Sequence, residues 1–221
     1  DANADALIWH ADVRRMLLTQ KAIAEGGRAM IYAAAQTADL MVDAGRRQDR
    51  ATQDKHDDTL GFYTPILKGF LTEMGLEAAN LGMQVFGGHG YIHEHGMEQI
   101  ARDARIATLY EGTTGIQALD LLGRKVLLGT RGKCVRDFSR IMLRSAKAHW
   151  LAHGSIGRMA RSTARRAIEW NLLTLRIMRR VGKDRDLVGS ASVDYLMYSG
   201  YVMMAHFWVR QAAVAQTLLR N

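Results

Sequence analysis

The sequence predicts an all-α protein, a helical bundle followed by an additional helical region, and two observations carry that prediction. Pro65 is the only proline among 221 residues, and Ala, Leu, Met and Arg are plentiful where β-branched and aromatic strand formers are sparse. Apolar residues also recur at three- and four-residue spacing over long stretches, the period of a helix with one buried face. A chain of this length forms one large domain or a bundle with an appendage, and either buries a substantial core.

In chain order, Val13, Leu17, Ala24, Ile31, Ala35 and Met41 define one long amphipathic helix over residues 12–45, weakened locally by Gly26 and Gly27. Residues 46–59, RRQDRATQDKHDDT, have no apolar period and read as a solvated helix end or loop. Thr64 and Pro65 then suit the N-cap and first position of a second helix, where proline has no useful N–H to lose. That helix runs to about Phe86. It stops at Gly87, Gly88 and Gly90, where the missing Cβ permits positive φ and close approach to the backbone. Further helices are expected over 97–109 and from Thr114 to about Leu128, with Thr114 and Gln117 at capping-box spacing. Three more follow, over about 134–152, 156–182 and 190–219. In the middle one Ile156, Met159, Thr163, Ala167, Trp170, Thr174, Ile177 and Val181 share a buried face, with Arg158, Arg161, Arg165, Arg176 and Arg179 away from it. No internal repeat or low-complexity tract is evident.

Charge is distributed unevenly. Residues 1–123 carry 11 Lys and Arg against 17 Asp and Glu, whereas residues 124–221 carry 19 against 5. The step divides the chain into an expected first domain, 1–128, and a basic helical second domain, 129–221. Cys134 is the single cysteine, so no internal disulfide forms and a reducing cytoplasm is the default location. The first residues are charged and show no apolar leader. The most apolar stretch, Leu196 to Val209, contains His206 and falls short of the roughly 20 residues of a membrane span. It reads as a buried bundle helix, and no membrane partner is expected.

Glu111 stands between Tyr110 and Gly112, about one turn before the helix expected at Thr114. On spacing alone, such a carboxylate complements the positive helix end for a few tenths to about 1 kcal/mol. The Gly87-Gly88-His89-Gly90 cluster follows a helix rather than a strand and lacks the dinucleotide-binding spacing, so helix termination explains it without a ligand. His89, His93 and His95 with Glu94 fit no standard zinc spacing and have no cysteine nearby.

Taken together, residues 84–123, QVFGGHGYIHEHGMEQIARDARIATLYEGTTGIQALDLLG, resemble the C-terminal catalytic stretch of the acyl-CoA dehydrogenases. The resemblance extends over about residues 10–128 and is only general beyond them. It implies that Glu111, in the motif Tyr110-Glu111-Gly112-Thr113, removes the α-proton of an acyl-CoA thioester while FAD takes the β-hydride. That chemistry needs an oriented base in a dry pocket. Gly112 would let the thioester carbonyl lie against the backbone, whose N–H polarises it, with Tyr110 beside the substrate.

The resemblance also implies a cofactor set. Gln84, Gly87 and Gly88 match a Gln-x-x-Gly-Gly corner that covers the adenosine and pyrophosphate end of FAD on a neighbouring subunit. Thr113, Thr114 and Gly115 would lie at the flavin side. Gly115 replaces the glutamine of many relatives, which leaves backbone contact but removes a side-chain contact and points to the larger branch with an added helical C-terminal region. Arg102 and Asp103 match a family pair expected to form a structural salt bridge. The family's N-terminal helical and β-domains are not in this sequence, so the chain is expected to be a C-terminal piece, inert by itself. A homodimer or tetramer and an electron-transferring flavoprotein are the implied partners. Two rival readings remain: an alkylation-response-type flavoprotein whose Arg124–Arg185 stretch binds duplex DNA, and a purely structural oligomerisation module.

Overall fold

The computed structural model describes residues 5–184 and 186–219, so Arg185 of the arginine-rich stretch lies outside the described residues. Among the described residues every regular element is helical: α1 (Ala11–Arg46), α2 (Arg50–Phe86), α3 (Gly88–Tyr91), α4 (Met97–Ala107), α5 (Thr114–Leu119), a π-helical segment (Asp120–Gly129), α6 (Lys133–Ala148), α7 (Gly154–Val181) and α8 (Leu187–Leu218), with single 3-10 turns at Leu7–Trp9 and His93–His95. The all-α prediction therefore holds, and α1, α4, α6, α7 and α8 lie close to their expected spans.

The second helix does not start where proline placed it. Asp49 is the N-cap, accepting the Thr52 N–H at 3.1 Å, and α2 runs unbroken through residues read as a loop. Pro65 is buried inside it. Thr64 Oγ1 bonds back to the Leu60 carbonyl at 2.8 Å instead of capping a new helix. Proline at position 65 leaves the Gly61 carbonyl without its usual N–H partner. Gly61 has no Cβ, and Lys125 Nζ comes within 3.0 Å of where one would sit. Tertiary neighbours thus make tolerable what local propensity penalises.

Beyond α5 the chain widens into the π segment, with Thr130 N donating to Lys125 O five residues back at 3.1 Å. Leu121, Leu122 and Val126 on this segment are fully buried.

One core runs through both halves of the chain. Met30, Phe62, Ile66, Phe70, Leu121, Val126, Phe138, Trp170, Leu196 and Phe207 all belong to it. Trp170 of α7 stacks on Phe62 of α2 at 6.0 Å and meets Phe138 of α6 edge-on at 6.2 Å, geometries that aromatic quadrupoles favour. Thr174 Oγ1 and the Tyr195 hydroxyl share a buried hydrogen bond of 2.7 Å. On α7, Ile156, Thr163, Ala167, Trp170, Thr174 and Ile177 are buried and the five arginines exposed, as the spacing predicts, while Met159 and Val181 of the same face, near the two helix ends, are only half-buried. The apolar stretch of α8 is likewise interior: Leu196, Met203 and His206 are almost fully buried.

Candidate active site

The site is built where α4 ends against α2. Lys68 Nζ of α2 donates to the Ala107 carbonyl at 2.6 Å, occupying an acceptor that the helix end leaves free. The same ammonium lies over the Tyr110 ring, 5.5 Å from its centre.

The chain then turns through Glu111 at φ 54° and Gly112 at φ 95°. Positive φ is ordinary for glycine but costs a glutamate about 1 kcal/mol or more, a strain that surrounding contacts must hold. Thr113 follows as the N-cap of α5, its Oγ1 accepting the Ile116 N–H at 3.4 Å. The expected Thr114–Gln117 capping box is not formed, because the helix begins one residue earlier than that spacing assumes. Thr114 Oγ1 instead donates to Glu73 Oε1 on α2 at 2.5 Å, and Gln117 Nε2 donates to the Glu111 carbonyl at 3.5 Å.

Glu111 and Tyr110 are exposed, and Gly112 is half-buried. The described residues thus supply an exposed carboxylate on a turn whose backbone is held. Thr114 and Gln84 meet in one surface groove of about 780 Å³, whose floor includes Met74 and whose far side is formed by Met197 and Tyr201 of α8.

The glycine corner divides into two roles. Gly90 is buried, and a Cβ there would stand 2.4 Å from the Met83 carbonyl, so its small size is a packing requirement. Gly87, at φ 60°, and Gly88 are exposed, with nothing within 4 Å of a Cβ position. Their backbone is open to close approach by another group. No hydrogen bond among the described residues joins this corner to the Glu111 loop.

The Arg102–Asp103 pair does not form. Asp103 accepts from Gln99 Nε2 at 2.8 Å, and Arg102 is exposed. Adjacent residues on a helix point about a hundred degrees apart and do not face each other. Among the described residues no group of three or more His, Cys, Asp or Glu is arranged to hold a metal. His93 Nδ1 instead meets Glu98 Oε1 at 3.0 Å, and the rings of His89 and His95 contact edge-on. Lys68 and Glu73, which brace the loop, have no motif in the sequence. Only their placement against residues about forty positions away marks them.

The helical bundle thus presents one exposed glutamate on a left-handed kink and, separately, an open glycine corner at the end of α2. Residues 1–127 match the acyl-CoA dehydrogenase C-terminal domain, and residues 136–221 match the acetyl-CoA dehydrogenase C-terminal-like domain. The chain therefore belongs to the acyl-CoA dehydrogenase family, of which it carries the C-terminal portion. It is 38% identical over 198 residues to a 3-methylmercaptopropionyl-CoA dehydrogenase of Ruegeria pomeroyi, covering 90% of this chain and 33% of that protein. A broad-specificity linear acyl-CoA dehydrogenase of Mycobacterium tuberculosis is 31% identical over 223 residues, 95% of this chain and 35% of its own length. A butyryl-CoA dehydrogenase of Syntrophomonas wolfei is 38% identical over 122 residues, 55% of this chain and 20% of its own. The chain spans about a third of the length of the first and second of these relatives. Among the described residues no helix is long and apolar enough to cross a membrane.

Proposed function

We propose that these residues form the C-terminal part of an FAD-dependent acyl-CoA dehydrogenase, a cytoplasmic oxidoreductase in which Glu111 is the α-proton-abstracting base. The observation that carries this reading is the Glu111–Gly112 kink. It leaves the Glu111 side chain exposed just before α5, with the Glu111 carbonyl held by Gln117 of α5 and the neighbouring Tyr110 ring under Lys68 of α2, and family membership supports the assignment. The Gln117 amide fills the space a Cβ would take on Gly112, so a thioester carbonyl would lie against this backbone on its other side, with Tyr110 lining the approach.

The residues present fit the cofactor. The exposed backbone of Gly87 and Gly88, with Gln84 on the preceding turn, suits the adenosine and pyrophosphate end of an FAD bound largely by another subunit, while Thr113, Thr114 and Gly115 suit the flavin side. When bound, FAD supplies the acceptor for the β-hydride. Glu111 would take the α-proton on its carboxylate once substrate and neighbouring domains exclude water from the site. Residues 1–128 would be the catalytic segment and 129–221 the appended one, in a homodimer or tetramer that passes electrons to an electron-transferring flavoprotein.

Replacing Glu111 by Gln in the complete enzyme tests the assignment. Turnover should fall on the order of 10³-fold or more, with FAD still bound, because a positioned base is lost while the side-chain shape is kept. Full turnover in that variant would place the base on another residue.

A further inference from the structure

We infer that Gln117 is a positioning residue for Glu111, acting through the backbone of the kink. The inference rests on Glu111 being the base. Glu111 sits at φ 54°, a conformation that a glutamate leaves unless something holds it. Among the described residues, Gln117 is the side chain that hydrogen-bonds to Glu111, through Nε2 to the carbonyl at 3.5 Å.

That bond is long and would be weak by itself. Packing at both ends of the side chain reinforces it. Nε2 lies 2.6 Å from where a Cβ on residue 112 would stand, so only glycine there lets the amide reach the peptide. At the other end, the Gln117 Cβ lies 3.3 Å from the position a Cβ on Gly69 would take, and Leu196 of α8 closes the same gap from its other side at 2.8 Å. Two glycines, on different elements, thus leave a slot that the Gln117 side chain fills.

The consequence is geometric. Pinning the carbonyl fixes the plane of the Glu111–Gly112 peptide, and that plane sets the direction of the Glu111 Cα–Cβ bond. Without the amide, the kink can relax and swing the carboxylate away from a substrate α-carbon. The docking of α5 does not depend on this contact, because Thr114 independently bonds Glu73 on α2 at 2.5 Å. Positioning and folding are therefore separable.

The test uses the FAD-loaded complete enzyme with Gln117→Leu, which keeps much of the shape and removes the donor, and Gln117→Glu, which keeps the shape and adds a negative charge. For Gln117→Leu, kcat should fall about 10- to 100-fold, the scale of a misplacement near 1 Å. KM should stay within about twofold, the melting temperature should hold, and the amides of residues 111–113 should exchange faster with solvent. In Gln117→Glu the ionised carboxylate cannot donate to the Glu111 carbonyl, so kcat should fall as in Gln117→Leu with KM again little changed. A wild-type kcat in Gln117→Leu, or unaltered exchange at residues 111–113, overturns the inference. Glu111→Gln is run alongside: full turnover there sinks the base assignment, while the exchange data still report whether Gln117 holds the kink.

Discussion

Gly200 of α8 offers the most direct test of how the appended helices join the rest of the chain. A Cβ at this position would lie 2.1 to 2.5 Å from three carbons of the Phe70 ring on α2, well over 1 Å inside ordinary contact. Phe70 is fully buried and meets Tyr201 edge-on at 4.9 Å, so its ring has little room to retreat. Overpacking of this kind costs up to about 3 kcal/mol. Alanine in place of a helical glycine returns up to about 1 kcal/mol, which leaves Gly200→Ala destabilised by about 2 kcal/mol. For a chain of this size that corresponds to a melting temperature lower by about 4–8 °C. Thermal and urea melts of the single variant, and of the same change in a Phe70→Ala background, complete the cycle. In that background the added methyl enters the space the ring has left, and the penalty should vanish. A Gly200→Ala protein as stable as the parent, with no coupling to Phe70, would refute the close apposition of α2 and α8.

Burial, with the Arg210 cation nearby, pushes His206 down to about 4 from an ordinary value near 6.5. The folded state therefore favours the neutral ring, and the stability this confers is full above about pH 6.5 and lost as pH falls toward 4, a loss of about 3 kcal/mol. Denaturant melts of His206→Phe, whose ring suits the edge-on contacts with Phe138 and Phe207, should lack that part of the acid-side loss, and an identical acid dependence in the two proteins would contradict it. On the proposed assignment Gln84, Gly87, Gly88 and Thr113 meet an FAD bound largely by another subunit, so the 221-residue chain alone should be colourless after dialysis, and stoichiometric FAD retained at micromolar affinity would contradict that assignment. Duplex DNA should be released near physiological salt, because binding through unspecific phosphate contacts falls steeply with ionic strength. Sub-micromolar binding at about 0.15 M salt that is abolished by charge reversal at Arg158, Arg161 and Arg165 would instead favour the nucleic-acid reading.

Helices with a steady apolar period were legible from the sequence. The face of α7 follows from spacing, because a helix's own geometry places residues three and four apart on one side, and the interior character of α8 follows from its apolar run. On α1 the spacing marked the wrong face: Leu17, Ala24, Ile31 and Ala35 are exposed, while Met16, Gly27, Met30 and Ala34 turn to the core. The start of α2 was not legible. Its first turns are polar and carry no period, and Pro65 argues locally for a boundary; the cap at Asp49 and burial against the rest of the core outweigh both. The cap of α5 was misplaced by one residue for a related reason. Thr113 and Thr114 have equal capping chemistry, and the Glu73 carboxylate across the bundle engages Thr114 and leaves Thr113 to cap.

The candidate site divides along the same line. Sequence alone determined that a glutamate stands next to glycine ahead of a helix, that an open glycine corner follows a long helix, and that the chain resembles acyl-CoA dehydrogenases, since each is a property of consecutive residues. Tertiary structure alone decided that Lys68 caps α4, that Glu73 holds Thr114, and that Gln117 reaches back to Glu111 through the space left at Gly69 and Gly112. These contacts join residues distant in the chain, and their positions follow from how whole helices pack, which no local period encodes.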